Sequence, residues 1–166
     1  MSFLASIAVA AVIVGALIAI IGPANIWQKL YGNPDLGPFD LATLTRSERP
    51  HDALLCTPGT CTSSIKTDGD LPIFDEKPSV LLERLAKHIE TQEGTRQSVN
   101  NDAASGSIRY VTRTAWLKFP DTTQFWAVPM ADGKTGLVAY SRSQVGHSDL
   151  GANLKRLKDW TSILTK

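Results

Sequence analysis

The N-terminal segment constrains this chain most, because Lys29 is its first charged residue. Residues 3–21, FLASIAVAAVIVGALIAII, form an uninterrupted run of apolar and small side chains. At about 1.5 Å of helical rise per residue, this run and its uncharged flank cover the ~30 Å hydrocarbon core of a bilayer. Trp27 and Tyr31 follow, and such amphipathic rings favour the membrane–water interface. The segment predicts a single-pass transmembrane anchor over residues 1–28, with lipid around residues 3–21.

A cleavable signal peptide is the alternative interpretation. Gly22-Pro23-Ala24 supplies small residues near a suitable cleavage point. However, no basic region precedes the apolar run, and the run is longer than the roughly 7 to 15 residues of a signal core. We therefore expect an uncleaved anchor.

Small residues recur on one face of the predicted anchor. Ala11, Gly15 and Ala19 are spaced by four, so on a helix they form a strip that lets a second helix approach closely. Alanine and glycine are also common in membrane helices in general. The pattern alone therefore leaves helix packing and simple composition equally open.

The rest of the chain has the size and charge of one domain on a linker. Of the 166 residues, 43% are apolar, and 17 basic side chains nearly balance 16 acidic ones. This balance argues against nucleic acid as a partner. Residues 29–53 contain YGNPDLGPFD and SERP, and this density of Pro and Gly predicts a tether without long regular elements. The folded domain then comprises residues 54–166.

The two cysteines, Cys56 and Cys61, flank a Pro-Gly turn in CTPGTC. The turn can bring the sulfurs together, so we expect a disulfide; a zinc site needs about four ligands, and there is no third cysteine. Disulfides persist in oxidising compartments, which favours the periplasmic or exoplasmic side, most simply of a bacterial inner membrane. Lys29 argues for the opposite orientation through the positive-inside rule. We give the cysteines more weight.

Hydrophobic spacing predicts an α+β domain, in which two helices cover one face of a three-stranded or larger antiparallel sheet. The first helix is FDEKPSVLLERLAKHIETQEG. Its buried stripe consists of Leu81, Leu82, Leu85 and Ile89. The polar residues 93–107 predict a loop. From Ser107 to Val145, β-branched and aromatic residues predict three strands, joined by a Pro120-Asp121 turn and an Asp132-Gly133 hairpin.

Two further patterns belong to this predicted domain. Arg109 and Arg113 share one sheet face by alternation, while Tyr110, Thr112 and Trp116 share the other. We favour a solvated outer face for the two arginines, with an anion-binding face as the alternative. The last helix has an apolar side that comprises Leu150, Leu154, Leu157, Trp160 and Leu164.

The start of the last helix, GHSDLGANLKRLKDW, holds the candidate chemistry. His147, Ser148 and Asp149 are consecutive, which argues against a serine-hydrolase triad, because neighbouring residues on a helix do not face one another. Ser148 or Asp149 instead suits a helix cap. An anion site at this helix start, with Arg142, His147 and Arg156, is the alternative.

Gly151 and Asn153 are unusual inside a helix, and we expect them to mark close packing or a polar contact. We find no metal cluster, paired-carboxylate site or dinucleotide fingerprint in the sequence. Neither an enzyme activity, a cofactor nor a metal site is therefore predicted.

The sequence resembles the uncharacterised family numbered 1499 among the domains of unknown function. The resemblance depends on CTPGTCTSS and SRSQVGHSDLGANLKRL and extends over roughly residues 54–164. Its most specific positions are Gly146, Ser148, Asp149, Leu150, Gly151, Asn153 and Arg156. It implies a compact domain, often membrane-associated or exported, and no established reaction. The chain departs from the family's tendency to carry arginine at the positions of Tyr140, Gln144 and Leu154.

Together these features predict a non-catalytic accessory subunit. Its exoplasmic domain would dock on integral membrane proteins of a larger complex, with an energy-transducing complex (respiratory or photosynthetic) as the expected host. The alternative is a membrane-anchored module that binds a small anionic or lipid-derived ligand. The residues predicted to make partner or ligand contacts are Arg142, His147, Asp149, Gly151, Asn153 and Arg156.

Overall fold

A computed structural model describes residues 3–92 and 94–165. The ends of the predicted anchor and domain, Met1, Ser2 and Lys166, and the first residue of the predicted loop, Glu93, lie outside the described residues. The helices are α1 (Phe3–Ile21), α2 (Pro23–Tyr31), α3 (Pro78–Thr91) and α4 (Ala152–Thr161). The strands are β1 (Asp52–Cys56), β2 (Gly69–Asp70), β3 (Thr95–Asn100), β4 (Ser107–Arg113), β5 (Pro120–Pro129) and β6 (Thr135–Ser143).

The strands form one six-stranded mixed sheet in the order β2-β1-β6-β5-β4-β3. β1 and β2 are parallel, and the other neighbouring strands are antiparallel. The α+β prediction is confirmed, as is the meander of three strands that became β4, β5 and β6. The sheet is larger than that meander because β1 joins the free edge of β6 and β3 joins the free edge of β4.

One face of the sheet, which we call the helix face, is covered by α3 and α4. Its core includes every residue of the predicted α3 stripe, together with Ile108, Phe125 and Leu137, all of which are fully buried. Trp160 of α4 packs edge-on against Tyr110, with 5.7 Å between the ring centroids. The predicted packing of two helices on one face is confirmed.

The other face, which we call the tether face, is covered by residues 34–48, an irregular segment that we call the covering segment. Its buried cluster comprises Leu54, Cys56, Val138 and Tyr140, and Phe39 packs edge-on against Tyr140 at 5.0 Å between ring centroids. The backbone N–H of Phe39 donates to Oε1 of Gln124 at 3.0 Å. This part of the predicted tether is therefore packed on the sheet.

The prediction of a solvated face is wrong for Arg109, which is only 9% exposed. Its guanidinium makes two bonds of 3.0 Å to the carboxylate of Asp35 in the covering segment. Gly37 lies against this side chain so closely that a Cβ there would be 2.8 Å from Cδ of Arg109. Alternation alone predicted the shared face but not the segment that covers it.

Three local predictions are also wrong. Residues 95–100, within the predicted loop, form β3, because a polar strand is stable at the edge of a sheet, where β4 supplies its partner. Pro120-Asp121 begins β5, a position that tolerates proline, and the turn lies earlier, at residues 114–119, where it contains Trp116. Leu150 is 95% exposed and lies before α4, so it is not part of the apolar side.

The N-terminal helices project a large apolar surface. The described side chains of α1 are exposed, apart from that of Ala5. Among the described residues, no single helix has the length and hydropathy of a membrane span; α1 and α2 reach them only as a pair, bent by 87°.

Candidate functional site

The start of α4 is built around the carboxylate of Asp149. Its Oδ1 accepts a hydrogen bond from the N–H of Gly151 at 3.0 Å, and its Oδ2 accepts one from the N–H of Asn153 at 2.9 Å. Ser148 Oγ accepts from the N–H of Leu150 at 3.2 Å. Asp149 therefore accepts from a backbone N–H in the first turn of α4, as predicted, whereas the Ser148 bond is to Leu150, which lies before the helix. Gly151 has φ 81° and precedes the helix, so it serves the left-handed turn into α4.

Asn153 lies in the first turn of α4 and is fully buried. Its Nδ2 donates to the carbonyl oxygen of His51 and to Oγ of Ser143, both at 3.0 Å. Its Oδ1 accepts from Oγ of Ser141 and from Nη1 of Arg156, both at 2.6 Å. The side chain thus uses all four of its hydrogen-bonding positions to join α4 to β6 and to the residue before β1.

Arg156 completes this arrangement with an ion pair inside the domain. Its Nη2 lies 2.7 Å from Oδ2 of Asp121, and the two side chains are 15% and 3% exposed. Its Nη1 donates to Ser141 Oγ at 3.1 Å, and Ser141 Oγ is also 2.7 Å from Oγ1 of Thr123. We call Asp121, Ser141, Asn153 and Arg156 the α4 network. Its polar groups bind one another, so it holds the helix on the sheet.

The structure brings only some of the predicted site residues together. Asp149, Gly151, Asn153 and Arg156 meet at the start of α4. Arg142 follows Tyr140 by two positions on β6 and lies on the tether face. His147 is exposed in the loop before α4. Arg142, His147 and Arg156, which the sequence predicts as a possible anion site, therefore do not surround one point.

A different group of basic side chains surrounds a cavity of about 620 Å³ at the tether face. Among the residues that line it are Arg46, Arg49, His51, Arg142 and Gln144, with Glu48 as the acid. Within the described part of the chain, Arg49 and Arg142 make no ion pair, whereas Arg46 contacts Asp52 at 2.9 Å and Asp68 at 3.0 Å. The cavity thus has uncompensated positive charge.

Three buried polar atoms of side chains that line this cavity lack hydrogen-bond partners among the described residues. His51 is 5% exposed, and both of its ring nitrogens are buried without a partner among the described residues. The same holds for Oε1 of Gln144. Leaving such groups unpaired costs about 1–3 kcal/mol each, which a bound polar ligand would offset. The basic run RSERPH, residues 46–51, is the sequence signal for this cavity, but its Pro and polar residues also fit the predicted tether.

Next to the cavity, Asp52 is held by three hydrogen-bonding neighbours. Burial alone would raise its pKa, but the bonds from Arg46, from the N–H of Ser47 and from the Tyr140 hydroxyl hold the pKa below its ordinary value. Tyr140 O–H donates to Asp52 Oδ2 at 3.0 Å. Burial and the Asp52 charge raise the pKa of Tyr140 far above its ordinary range. This cluster fixes the covering segment to β1 and β6.

The predicted disulfide is present between Cys56 and Cys61, whose Cα atoms are 6.1 Å apart. Cys56 is the last residue of β1 and belongs to the tether-face cluster. The disulfide therefore ties the loop after β1 to the buried sheet. Among residues 3–92 and 94–165, no three or more His, Cys, Asp or Glu side chains are grouped to hold a metal ion.

The sequence pattern of the family described as "Protein of unknown function (DUF1499)" matches residues 57–164. The chain belongs to this family. The DUF1499 match runs from the loop after β1 to Leu164 and leaves out α1, α2, the covering segment and β1. No curated protein and no solved structure matches the chain. The positions that were most specific for the resemblance, Gly146 to Arg156, build the cap of α4 and supply part of the α4 network.

Proposed function

We propose that this chain is a non-catalytic, single-pass membrane subunit whose domain docks on a larger membrane protein complex from the periplasmic or exoplasmic side. The observation that carries the proposal is α1, an uncharged apolar helix that the chain's own domain leaves uncovered. Each further element of the proposal is supported by a separate feature.

The exposed apolar surface of α1, and the length that it reaches together with α2, support a membrane anchor. The 19 residues of α1 rise about 28 Å, close to the ~30 Å of a hydrocarbon core. Phe3 and Ile20 are each 81% exposed and Val12 is 71% exposed. Apolar surface in water costs about 25 cal/mol per Å², so this helix requires lipid or another apolar partner. The Cys56–Cys61 disulfide supports the oxidising side of the membrane.

The small residues of α1 support a partner within the membrane. Ala11, Gly15 and Ala19 are exposed, and a Cβ built on Gly15 would meet no atom within 4 Å. This strip is therefore open to a second helix, which is the arrangement that close packing between membrane helices requires.

Native mass spectrometry of the full chain, extracted from its own membranes in mild detergent, tests the proposal. We expect stoichiometric integral membrane partners. Gly15→Leu should release them, because leucine fills the strip. Ala10→Leu is the matched control, since Ala10 lies on the opposite side of α1. A monodisperse, partner-free wild-type chain would contradict the accessory role.

The cavity at the tether face favours a second candidate, an anion-binding module. Arg49 and Arg142 supply unpaired charge, and His51 and Gln144 supply buried groups without partners. Phosphate oxygens match both needs, since they accept several charge-assisted hydrogen bonds at once.

Thermal unfolding of the full chain in detergent tests this candidate with inorganic phosphate, short-chain phosphatidic acid and short-chain phosphatidylcholine. Stabilisation by phosphate indicates a soluble anion, and stabilisation by phosphatidic acid alone indicates a lipid headgroup. Arg142→Gln should abolish either effect, while Lys134→Gln, at the exposed turn before β6, should preserve it. Unchanged unfolding with every probe rejects the module.

A further inference from the structure

The connection between β4 and β5 presents a large apolar tip to solvent. Trp116 is 90% exposed and Leu117 is 56% exposed. The base of the loop is closed, because Thr114 N–H donates to Phe119 O and Phe119 N–H donates to Thr114 Oγ1, both at 3.0 Å. The two apolar side chains are therefore held away from the core by a defined turn.

This loop is fastened to α2 through Trp27. The ring of Trp27 packs on that of Phe119, with 4.7 Å between centroids, and its Nε1–H donates to the carbonyl oxygen of Leu117. Trp27 is thus shared between the helix and the loop. The tip of the loop consequently lies at the same level of the molecule as α2.

α2 itself has the character of a helix that lies on a membrane surface. Its axis is bent by 87° from that of α1, so it runs in the plane of the interface when α1 crosses the bilayer. Its apolar arc comprises Ile26, Trp27, Leu30 and Tyr31, and the remaining side includes Asn25, Gln28 and Lys29. Leu30 is 66% exposed and Tyr31 is 52% exposed.

We propose that the β4–β5 loop is a second membrane contact, with Trp116 and Leu117 resting in the headgroup region of the leaflet on which α2 lies. The proposal rests on the membrane anchor of the proposed function. Lipid is the occupant because Trp27 joins the exposed tip to α2, whose own apolar side chains are exposed and which follows directly on α1. Tryptophan favours this interfacial depth, and Lys118 beside it suits anionic headgroups.

Fluorescence quenching by brominated lipids tests the contact in the full chain, reconstituted alone into phosphatidylcholine vesicles. The comparison chain carries Trp116→Phe together with Ala131→Trp. It keeps four tryptophans, but one of them is moved from the loop to the exposed turn after β5. The two positions lie at opposite ends of β5, whose ten residues span about 33 Å. Bromines near the headgroups should quench the wild-type chain more strongly than the comparison chain.

Flotation of the vesicles tests the membrane anchor separately from the contact between the β4–β5 loop and lipid. A chain that fails to float with lipid contradicts the anchor and the loop contact together. A chain that floats, but whose quenching equals that of the comparison chain, contradicts the loop contact alone and makes Trp116 and Leu117 a surface for a protein partner.

Discussion

The two faces of the sheet are covered in different ways. The helix face is packed by α3 and α4 through regularly spaced apolar side chains, and its polar groups are concentrated in the α4 network. The tether face is covered by a segment without long elements, which is held by separate contacts such as Arg109–Asp35 and Arg46–Asp52.

The difference follows from backbone geometry. A helix satisfies its own backbone groups and offers a stripe of side chains every three or four residues. An irregular segment has neither advantage, so it needs side chains of the sheet as partners: Thr122 accepts the N–H of Leu36, and Gln124 accepts that of Phe39. Damage on the helix face should therefore affect the whole domain, whereas damage on the tether face should open the covering segment first.

Arg156→Ala should have the largest effect, because it leaves the buried carboxylate of Asp121 as an unpaired charge. Breaking a buried pair in this way costs about 3–5 kcal/mol of the free energy of unfolding. Lys155→Ala is the control, since its pair with Asp159 is exposed and contributes about 0–1 kcal/mol. Urea denaturation measures both, and equal midpoints would contradict the assigned role of the α4 network.

Asp35→Ala should have the next largest effect, about 1.5–3 kcal/mol, because it removes charge-assisted hydrogen bonds from buried Arg109. Hydrogen exchange should increase in residues 34–48 before it increases in β4 to β6. Glu48→Ala, an exposed acid of the same segment, should leave exchange unchanged. Uniform acceleration across the sheet would show that the two faces do not open separately.

Removing the disulfide with Cys56→Ala and Cys61→Ala should cost about 2 kcal/mol or less, because the closed loop is short. The loss is measured by urea denaturation of the full chain, with the wild-type chain in reductant as the comparison. If the loss of unfolding free energy were as large as that of Arg156→Ala, the loop after β1 would contribute as much to stability as the α4 network, which would contradict this prediction.

The smallest effect concerns pH. Because folding lowers the pKa of Asp52 below 3.8, its contribution is complete above that value and is lost as the pH falls through the folded pKa. Asp52→Asn should therefore flatten the dependence of stability on pH at the acid end, as measured by urea midpoints between about pH 3 and pH 6. An unchanged slope would contradict the role of Asp52, and Asp132→Asn at an exposed turn is the control.

Tyr140 gives the opposite sign at the alkaline end. Its folded pKa is raised, so its contribution is complete below the ordinary value of 10.0 and is lost as the pH rises towards the folded pKa. Tyr140→Phe should reduce the loss of stability at alkaline pH. The packing of the helix face should stay unchanged, because Tyr140 lies on the tether face.

The sequence predicted what depends on periodicity. Local spacing predicts the α3 stripe and the three central strands. Local residue types predict the 132–133 hairpin and the bond from Asp149 to the first turn of α4. The sequence did not predict β3, whose polar residues become a strand only because β4 offers a free edge. Nor did it predict the ion pair between Asp35 and Arg109, since 74 residues separate them along the chain.

The candidate sites divide in the same way. Asn153 and Arg156 are predicted as ligand or partner contacts. In the structure their polar groups bond within the domain, to Asp121, Ser141 and Ser143. The basic cavity combines Arg49 of the predicted tether with Arg142 of β6, and these residues are far apart in the sequence. Only the tertiary fold brings such residues together.

The packing of the predicted tether also determines how far the domain reaches. A free linker of about 25 residues would let the domain explore roughly 25–30 Å. Here Trp27 holds Phe119, and Gln144 Nε2 donates to the carbonyl oxygens of Tyr31 and Asn33, so the linker has almost no slack. These contacts hold the domain next to α2, so the distance over which it can move relative to α2 is small.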